Sequence, residues 1–361
     1  MVDEKDALTS LRHKIDSIDG EILNLLNERA SCVSEIGQIK QQKGMDFHVP
    51  HREREIFERL SSLNKGPFPD EAIKSIFREI ISASLALEQP LKVAYLGPQA
   101  TFAHLASIQH FGLSAHFIQK RTIAEIFDEV ERGRAHYGVA PIENSTEGVV
   151  SYTLDTLVDS EVKICAEIVL EISHHLVSKT GKLENVTKIY SHPQALAQCR
   201  KWLESNLPDV PAIDVESTAL AAQMASDDST IAAIASEFAV TTYNLHIVQR
   251  KIEDNANNST RFSVIGRKIP ERTGNDKTSI LFSLKDEVGT LYHILEPFSK
   301  NGINLTKIES RPQKKKAWEY IFFVDMEGHI ADKQISNALD EVAAKANYFK
   351  ILGSYPRADH P

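Results

Sequence analysis

Apolar residues near the amino terminus recur at alternating spacings of three and four, which is the pattern of a long amphipathic helix. This apolar stripe runs through Leu8, Leu11, Ile15, Ile18, Ile22 and Leu25 and resumes at Val33 and Ile36. Two cations, Arg29 and Lys40, stand on the stripe where aliphatic side chains are expected. At about 100° per residue they differ by only ~20° around the helix and lie ~16 Å apart along it. Since the stripe holds no Asp or Glu, we expect another segment or an acidic ligand to neutralise them.

Residues 3 to about 88 show helical periodicity and no strand pattern. The predicted helices are Asp3 to Gly44, His51 to Leu63, and Asp70 to Glu88, each ended by glycine or proline. A first helix of ~40 residues is roughly 60 Å long, and the two shorter helices cannot cover it. We therefore expect a homodimer of intertwined three-helix units, in which a second copy covers the first helix.

From Leu91 onward strand and helix signals alternate, which is typical of an α/β sheet. The predicted strands are Val93–Leu96, Tyr137–Ala140, Cys165–Ile172, Ile189–Tyr190, Ile213–Val215, Ile231–Ala235 and Phe262–Gly266. We expect two lobes with a cleft between them, and ligands in such folds collect at strand ends and lobe junctions.

The last section predicts a ferredoxin-like βαββαβ unit. Its elements are Thr278–Leu284, Leu291–Lys300, Ile303–Glu309, Trp318–Met326, Lys333–Ala346 and Phe349–Gly353. The chain is thus predicted to be multidomain, with a helical domain at 1–90, a two-lobed α/β domain at 91–270 and a small domain at 271–361.

Composition indicates an ordinary globular protein and removes several function classes. A net charge of −9 across 361 residues does not favour binding to nucleic acid or to an anionic membrane. The lysines at Lys314–Lys316 are predicted to form a solvated turn. Cys32, Cys165 and Cys199 lie far apart without metal-ligand spacing, so we expect reduced thiols and no metal. With neither a signal peptide nor a long apolar run, the sequence predicts a cytoplasmic location.

Further polar groups interrupt the helical patterns. Ser84 and Glu88 continue the apolar stripe of the third helix and lie one turn apart on one face. Arg52 and Glu53 open the second helix, whereas Arg12 is turned by roughly 100° from the face of Arg29 and Lys40. Any one of these could be a solvated flank or a surface ion pair. As a set, Arg29, Lys40, Ser84 and Glu88 favour a site, because each of them interrupts an apolar register.

These residues resemble the all-helical chorismate mutases. The matching motifs are Leu11-Arg12-x-x-Ile15-Asp16-x-x-Asp19, Leu25-Leu26-x-x-Arg29, Gly37-x-x-Lys40, Arg52-Glu53 and Ser84-x-x-x-Glu88. The resemblance implies an intertwined dimer that rearranges chorismate to prephenate without a cofactor. It assigns Arg12 of a second copy and Arg29 to the carboxylates, and Lys40 to the ether oxygen. Arg52 and Ser84 would bound the pocket and Glu53 would accept the ring hydroxyl, while Val49 stands where some relatives carry an acid.

Glu88 predicts a pH dependence, since this family carries either Gln or Glu there. An ionised carboxylate would repel the charge that develops on the ether oxygen, so Glu88 should act only when protonated. We therefore expect a mutase favoured by mildly acidic pH and a flatter profile for Glu88→Gln.

Polar clusters follow several strands of the α/β section, and each alone is most often a cap or a turn. Together the Gly-Pro-x-x-Thr-Phe turn at 97–102, Pro141–Ser145, Ser191–Gln194, Ser217–Ala219 and Thr260–Phe262 resemble prephenate dehydratase, although Ala100 replaces a usual glycine. The resemblance implies loss of CO2 and the ring hydroxyl from prephenate, with Thr260 hydrogen-bonding the leaving group. Arg261 could anchor a carboxylate or hold the loop. The substrate-binding candidates are Thr101, Glu143, Asn144, Ser145, Ser191, Gln194, Ser217, Thr218, Arg261 and Phe262.

Val288–Leu291 opens a helix and Glu309–Pro312 ends a strand in the last section. A tight helix start and a strand-end turn would explain both. They also resemble two motifs of amino-acid-sensing ACT domains, which implies an L-phenylalanine effector site involving Gly289, Leu291, Glu309, Ser310 and Arg311.

Three functional interpretations remain open at this stage. The resemblances together predict a bifunctional chorismate mutase and prephenate dehydratase that is inhibited by phenylalanine. A non-catalytic two-lobed metabolite sensor would leave the cations of the first helix and Thr260 without a task. A chain that retains one of the two activities is the third.

Overall fold

The computed structural model describes residues 2–44, 48–285, 287–312 and 320–358. These residues form two compact units. One holds the chain up to Leu91 together with Phe111–His116, and the other holds Lys92–His110 and the chain from Phe117 onward. The predicted domain boundaries at 90/91 and 270/271 stay a prediction.

The first unit is helical, as predicted. Its helices are α1 (Val2–Lys43), α2 (Pro50–Leu63) and α3 (Asp70–Glu88). Proline at the first position suits α2, because its missing N–H has no acceptor there anyway. Two acidic residues, Asp70 and Glu71, occupy the first turn of α3, where the helix dipole favours negative charge.

The apolar stripe of α1 is exposed in the single chain. Leu11 is 60% exposed and Leu25 is 64% exposed, and the other members from Leu8 to Ile22 are similar. By contrast, α3 buries Ile81, Ser82 and Ser84. Contiguous exposed aliphatic surface of this kind is typical of protein interaction sites.

The second unit is a mixture of strands and helices. Its strands are β1 (Lys92–Leu96), β2 (His116–Lys120), β3 (Tyr137–Asn144), β4 (Gly148–Val149), β5 (Lys163–Glu171), β6 (His175–Ser178), β7 (Lys188–Ser191), β8 (Ala212–Asp214), β9 (Ile231–Ala235), β10 (His246–Gln249), β11 (Ser259–Gly266), β12 (Asp276–Ser283), β13 (Leu305–Pro312), β14 (Tyr320–Glu327) and β15 (Tyr348–Pro356). Its helices are α4 (Phe102–Phe111), α5 (Ile123–Glu131), α6 (Ser151–Asp159), α7 (Pro193–Gln198), α8 (Arg200–Asn206), α9 (Thr218–Asp227), α10 (Glu237–Tyr243), α11 (Thr290–Lys300) and α12 (Lys333–Lys345).

Two sheets of the described residues build the predicted lobes. One contains the order β5-β11-β3-β1-β2, and the other has the order β10-β6-β9-β7-β8. Small side chains such as Ala222, Ala225 and Ala233 fill the core beneath α9, so that this helix packs close to its sheet. The two-lobed α/β prediction is confirmed.

Strands β3 and β11 extend beyond the predicted limits. The polar residues after Ala140 and before Phe262 were expected to lie outside the strands, but they belong to them. Asn144 pairs with Thr260, and Glu143 pairs with Arg261. The register then shifts so that Phe262 faces Pro141, which leaves an extra residue on β3. Such a bulge accommodates a proline that has no N–H for the ladder. The strand β11 continues because it also pairs along its length with β5.

The third section is βαββαβ, as predicted, with strand order β13-β14-β12-β15. The predicted start of its third strand at Trp318 and the predicted turn at Lys314–Lys316 lie outside the described residues. Strand β15 also lies beside β5, with Gly353 paired to Ile164, so this section continues the larger sheet. None of the helices described in the chain combines the length and apolar composition that crossing a bilayer requires.

Candidate active sites

Two helices of the first unit bring a cation and a hydroxyl into contact. Arg29 on α1 donates from Nη1 to Ser84 Oγ on α3 at 2.7 Å. Ser84 is buried and donates in turn to the carbonyl of Ile80 at 2.6 Å. The guanidinium therefore has a fixed position near α3 and keeps donors for a further acceptor, because Arg carries five N–H groups.

Glu88 lies one turn beyond Ser84 and within electrostatic range of Lys40. Partial burial raises the pKa of Glu88 above its ordinary value, and the charge of Lys40 acts in the opposite direction. The four residues that interrupt the two apolar patterns, Arg29, Lys40, Ser84 and Glu88, thus lie along the contact between α1 and α3.

The other mutase candidates lie differently. Arg12 is exposed on α1. Arg52 is also exposed and pairs with Glu55 at 2.7 Å, so its described contact is on the surface of α2. Glu53 accepts from or shares a proton with Nε2 of the buried His48 at 2.9 Å. The guanidinium of Arg78, on α3, lies over the ring of Phe57, with Cζ 5.4 Å from the ring centroid.

In the second unit a cavity of about 380 Å³ lies between the two lobes. It is lined by seven of the predicted residues: Thr101, Asn144, Gln194, Ser217, Thr218, Thr260 and Phe262. Lining residues that the sequence did not mark as site candidates include Phe102, His174, His192, Gln198, Glu216 and Asn258. The segments separated in sequence therefore meet at one place, at the junction of the lobes.

Helices α4 and α9 begin at this cavity. Their first residues line it, and Ser217 caps α9 by accepting from the backbone N–H of Leu220 at 3.0 Å. Helix α7 differs, because its first residue is Pro193 and the N–H of Gln194 donates to Nδ1 of His192 at 3.3 Å. The start of a helix carries free N–H groups and a partial positive charge, which suit a carboxylate. Among the described residues no Lys or Arg lines the cavity, so these backbone groups are its positive features.

The hydrogen bond at Thr260 has a fixed direction. Asn144 Oδ1 accepts from the backbone N–H groups of Thr146 at 3.0 Å and Glu147 at 3.1 Å. Since a backbone N–H can only donate, the other atom of this amide is the nitrogen. Asn144 Nδ2 therefore donates to Thr260 Oγ1 at 2.9 Å. The hydroxyl proton of Thr260 is left for a group in the cavity.

The direction of the neighbouring hydrogen bonds also fixes the proton position of His174, which the sequence analysis did not identify as a site candidate. Asn144 Nδ2 also donates to Asn258 Oδ1 at 2.9 Å, and Asn258 Nδ2 donates to Gln198 Oε1 at 3.1 Å. His174 Nε2 must then donate to that oxygen, at 2.9 Å. Burial lowers the pKa of His174, so the neutral form with its proton on Nε2 is favoured.

Ser145 and Ser191 do not line the cavity, and their contacts are structural. Ser145 Oγ accepts from the backbone N–H of Ser259 at 2.9 Å and ties the end of β3 to the start of β11. Ser191 is fully buried and donates to the carbonyl of Ile234 at 2.7 Å.

Arg261 and Glu143 lie on the face of the sheet that points away from the cavity. Arg261 Nη2 is 2.8 Å from Glu143 Oε2, and Nη1 is 2.9 Å from Asp325 Oδ2. Glu167, Lys277 and Lys307 complete this ion cluster, which joins β3, β5 and β11 to β12, β13 and β14. Burial opposes the charge of Arg261, but Asp325, Glu143 and Glu167 outweigh it and raise its pKa. The structure therefore engages Arg261 in this cluster and does not place it at the cavity.

The two predicted effector segments are separate in the single chain. Gly289 precedes α11 with φ of 86°, and Leu291 lines a small pocket with Thr290, Tyr320 and Phe322. Residues Glu309, Ser310 and Arg311 lie in β13 and do not line that pocket. Arg311 Nε instead lies 3.3 Å from Oδ1 of Asp155 on α6.

Family comparisons match all three sections in order. The chorismate mutase type II model matches residues 11–89, the prephenate dehydratase model 93–270, and the ACT domain model 278–344. A bifunctional chorismate mutase/prephenate dehydratase from Aquifex aeolicus is 56% identical across 98% of this chain and 99% of its own length. The chain belongs to the bifunctional chorismate mutase/prephenate dehydratase family. The predicted family, with its two enzymatic activities and ACT domain, is confirmed.

Other members and relatives agree with this assignment. The bifunctional chorismate mutase/prephenate dehydratase of Pseudomonas aeruginosa is 45% identical over 98% of this chain and 99% of its own length. The solved prephenate dehydratase of Arthrobacter aurescens, in complex with L-Phe, is 35% identical, with a TM-score of 0.69. That match covers 74% of this chain and 91% of the solved one.

Proposed function

We propose that the helical unit rearranges chorismate to prephenate and that the cavity between the lobes converts prephenate to phenylpyruvate. The observation that carries the second step is the fixed direction of the Asn144–Thr260 hydrogen bond in the cavity where α4 and α9 begin. The first step rests on the contact of Arg29 with Ser84 and on Lys40 lying within electrostatic range of Glu88.

The mutase step breaks one C–O bond and forms one C–C bond within a single molecule, so it requires no nucleophile and no cofactor. The site holds the substrate in its reactive conformer and stabilises charge on the ether oxygen. Arg29 binds a carboxylate while Ser84 fixes its guanidinium. Lys40 and protonated Glu88 donate to the ether oxygen, and Arg52 and Glu53 close the pocket.

This mutase site acts in a homodimer. The exposed aliphatic stripe of α1 supports a second copy lying against it, since aliphatic side chains at 44–64% exposure would otherwise face water. Arg12 is exposed on the same helix and reaches the pocket of the partner subunit. In this arrangement each pocket combines Arg29 of one chain with Arg12 of the other.

In the dehydratase step the carboxylate on the ring leaves as CO2, and its electron pair enters the ring. The C–O bond to the ring hydroxyl breaks with its electron pair on oxygen, and the departing hydroxide becomes water by taking a proton from solvent. Thr260 hydrogen-bonds the departing oxygen, because Asn144 already occupies the acceptor side of its hydroxyl. The starts of α4 and α9 bind the carboxylates, and Thr101, Gln194, Ser217 and Thr218 shape these anion contacts.

The ACT section binds L-phenylalanine and lowers the dehydratase activity. The relative from Arthrobacter aurescens is described as a complex with L-Phe, which supports this assignment. The start of α11 beside Leu291 offers free N–H groups to a carboxylate and apolar surface to a ring. Glu309, Ser310 and Arg311 complete the site from a second copy, and phenylalanine favours one arrangement of the dimer.

Two assays test the division of labour. Chorismate loss reports the mutase, and phenylpyruvate formation from supplied prephenate reports the dehydratase. Arg29→Ala should abolish the first and keep the second, and Thr260→Ala should do the reverse. If the chain binds prephenate without consuming it, the sensor interpretation is correct. If one assay is silent in the unmodified protein, a single activity has been retained.

A further inference from the structure

Two glycines interrupt α1 at positions where alanine would favour the helix more. Gly20 and Gly37 both lie well inside Val2–Lys43. Glycine inside a helix is less favourable than alanine, because it loses more conformational freedom on folding. Neither glycine has a positive φ, so backbone conformation does not require either of them.

The surroundings of the two glycines differ. A Cβ added at position 20 would meet nothing within 4 Å. A Cβ added at position 37 would lie 2.6 Å from both Cδ and Oε2 of Glu88, and 2.7 Å from its Cγ. No other side chain is among the three nearest contacts, so the space above Gly37 is filled by the Glu88 side chain.

This contact places the carboxyl group of Glu88 against the backbone of α1, three residues before Lys40. The atoms in contact are the far end of a flexible side chain, which can rotate away without disturbing α3. A methyl group at position 37 would therefore leave the helices intact and displace the carboxyl group from the face that carries Arg29 and Lys40.

We propose that Gly37 is a positioning residue for the mutase reaction, where it leaves the space that lets Glu88 lie beside Lys40. The proposal rests on the role proposed above for Glu88. Gly37 makes no contact with the substrate and acts through Glu88. A displacement of about 1 Å at a reacting group can cost about 100-fold in rate, so an added methyl group should affect kcat more than KM.

The test compares Gly37→Ala with Gly20→Ala in the full-length protein. Alanine should raise the urea midpoint of the helical unit in both variants, since both remove a helix-interior glycine. Gly37→Ala should lower mutase kcat about 100-fold, while Gly20→Ala should leave kcat within twofold. Dehydratase activity in the same samples reports that the rest of the chain is folded. A Gly37→Ala variant with wild-type mutase kcat would overturn the proposal.

A double-mutant cycle separates this proposal from the role of Glu88. Glu88→Ala removes Cγ, Cδ and Oε2, which are the atoms that the added methyl group would meet. In that background Gly37→Ala should cause no further loss of kcat, because both changes act through one side chain. A further tenfold loss would show that Gly37 acts elsewhere and would refute the proposal. If Glu88→Ala alone leaves the mutase unchanged, the role of Glu88 fails, and the positioning role fails with it.

Discussion

Asn144 donates to the hydroxyl oxygen of Thr260 at 2.9 Å, across the β3–β11 pair. The direction of this bond follows from the backbone N–H groups of Thr146 and Glu147, which occupy the oxygen of the same amide. A threonine hydroxyl is a weak acid. Here its oxygen already accepts a hydrogen bond from Asn144, and its O–H remains to donate into the cavity. This environment makes the hydroxyl a dedicated donor to a leaving group.

Asn144→Asp should reverse this hydrogen bond. A carboxylate accepts but does not donate. It would therefore accept a hydrogen bond from the Thr260 hydroxyl, while still accepting from the two backbone N–H groups. We expect dehydratase kcat to fall about 100-fold, in the range that general acid catalysis contributes. The measurement is phenylpyruvate formation at saturating prephenate, with mutase activity as the control. A kcat within twofold of the original would show that this direction does not matter.

The mutase should lose activity as pH rises. Partial burial raises the pKa of Glu88, against the opposing charge of Lys40, so the protonated form persists above its ordinary range. Because the protonated form is the proposed donor, chorismate turnover should decline as pH passes upward through that raised pKa. Glu88→Gln carries a permanent donor and should remove this decline. An identical pH–rate profile in both proteins would eliminate Glu88 as the titrating group.

Arg261→Met should destabilise the second unit. Glu167 and Asp325 are largely buried beside Arg261, and removing its charge leaves them less well compensated. Breaking a buried ion pair costs about 3–5 kcal/mol, and we expect about 3 kcal/mol because Lys277 and Lys307 remain. Arg250→Met is a matched control, since the Arg250–Glu237 pair is exposed and should contribute under about 1 kcal/mol. The measurement is the free energy of unfolding in urea for both variants. Equal losses of stability would contradict this role of Arg261.

Asp155→Asn should weaken inhibition by phenylalanine. Asp155 pairs with Arg311, and Val150, which precedes the same helix α6, lines the cavity. The pair therefore connects the Glu309–Arg311 segment with the wall of the dehydratase site. We expect the phenylalanine concentration for half inhibition to rise about tenfold, a typical allosteric coupling, with basal activity within twofold. Tyr152→Ala, an exposed change on α6, is the control, and unchanged inhibition in Asp155→Asn would remove this connection.

Periodicity was sufficient to predict the elements whose apolar faces are regular. The third helix was predicted at its observed limits, and the βαββαβ order of the last section follows its hydrophobic runs. Strands β3 and β11 were predicted too short, because Pro141 and the polar residues after it, and the polar residues before Phe262, look like strand ends. The added residues of β3 pair with β11 and β4, and those of β11 pair with β5, which holds them in the sheet.

The expectation that Arg261 contributes to the substrate site has the same cause as the short prediction of β11. Thr260 and Phe262 both line the cavity, and in a strand the residue between them points to the opposite face. Alternation could have shown this, had the strand been extended by two residues. The roles of Asn258 and His174 could not be predicted in this way, because Asn258 meets Asn144 across 114 positions of sequence.

The most direct test of the dehydratase assignment compares Thr260→Ser with Thr260→Val. Serine keeps the hydroxyl, whereas valine keeps the shape and removes the proton. At saturating prephenate we predict that serine retains kcat within about tenfold, and that valine lowers it by about 100-fold or more while mutase activity is unchanged. A valine variant that forms phenylpyruvate at the original rate would contradict the account.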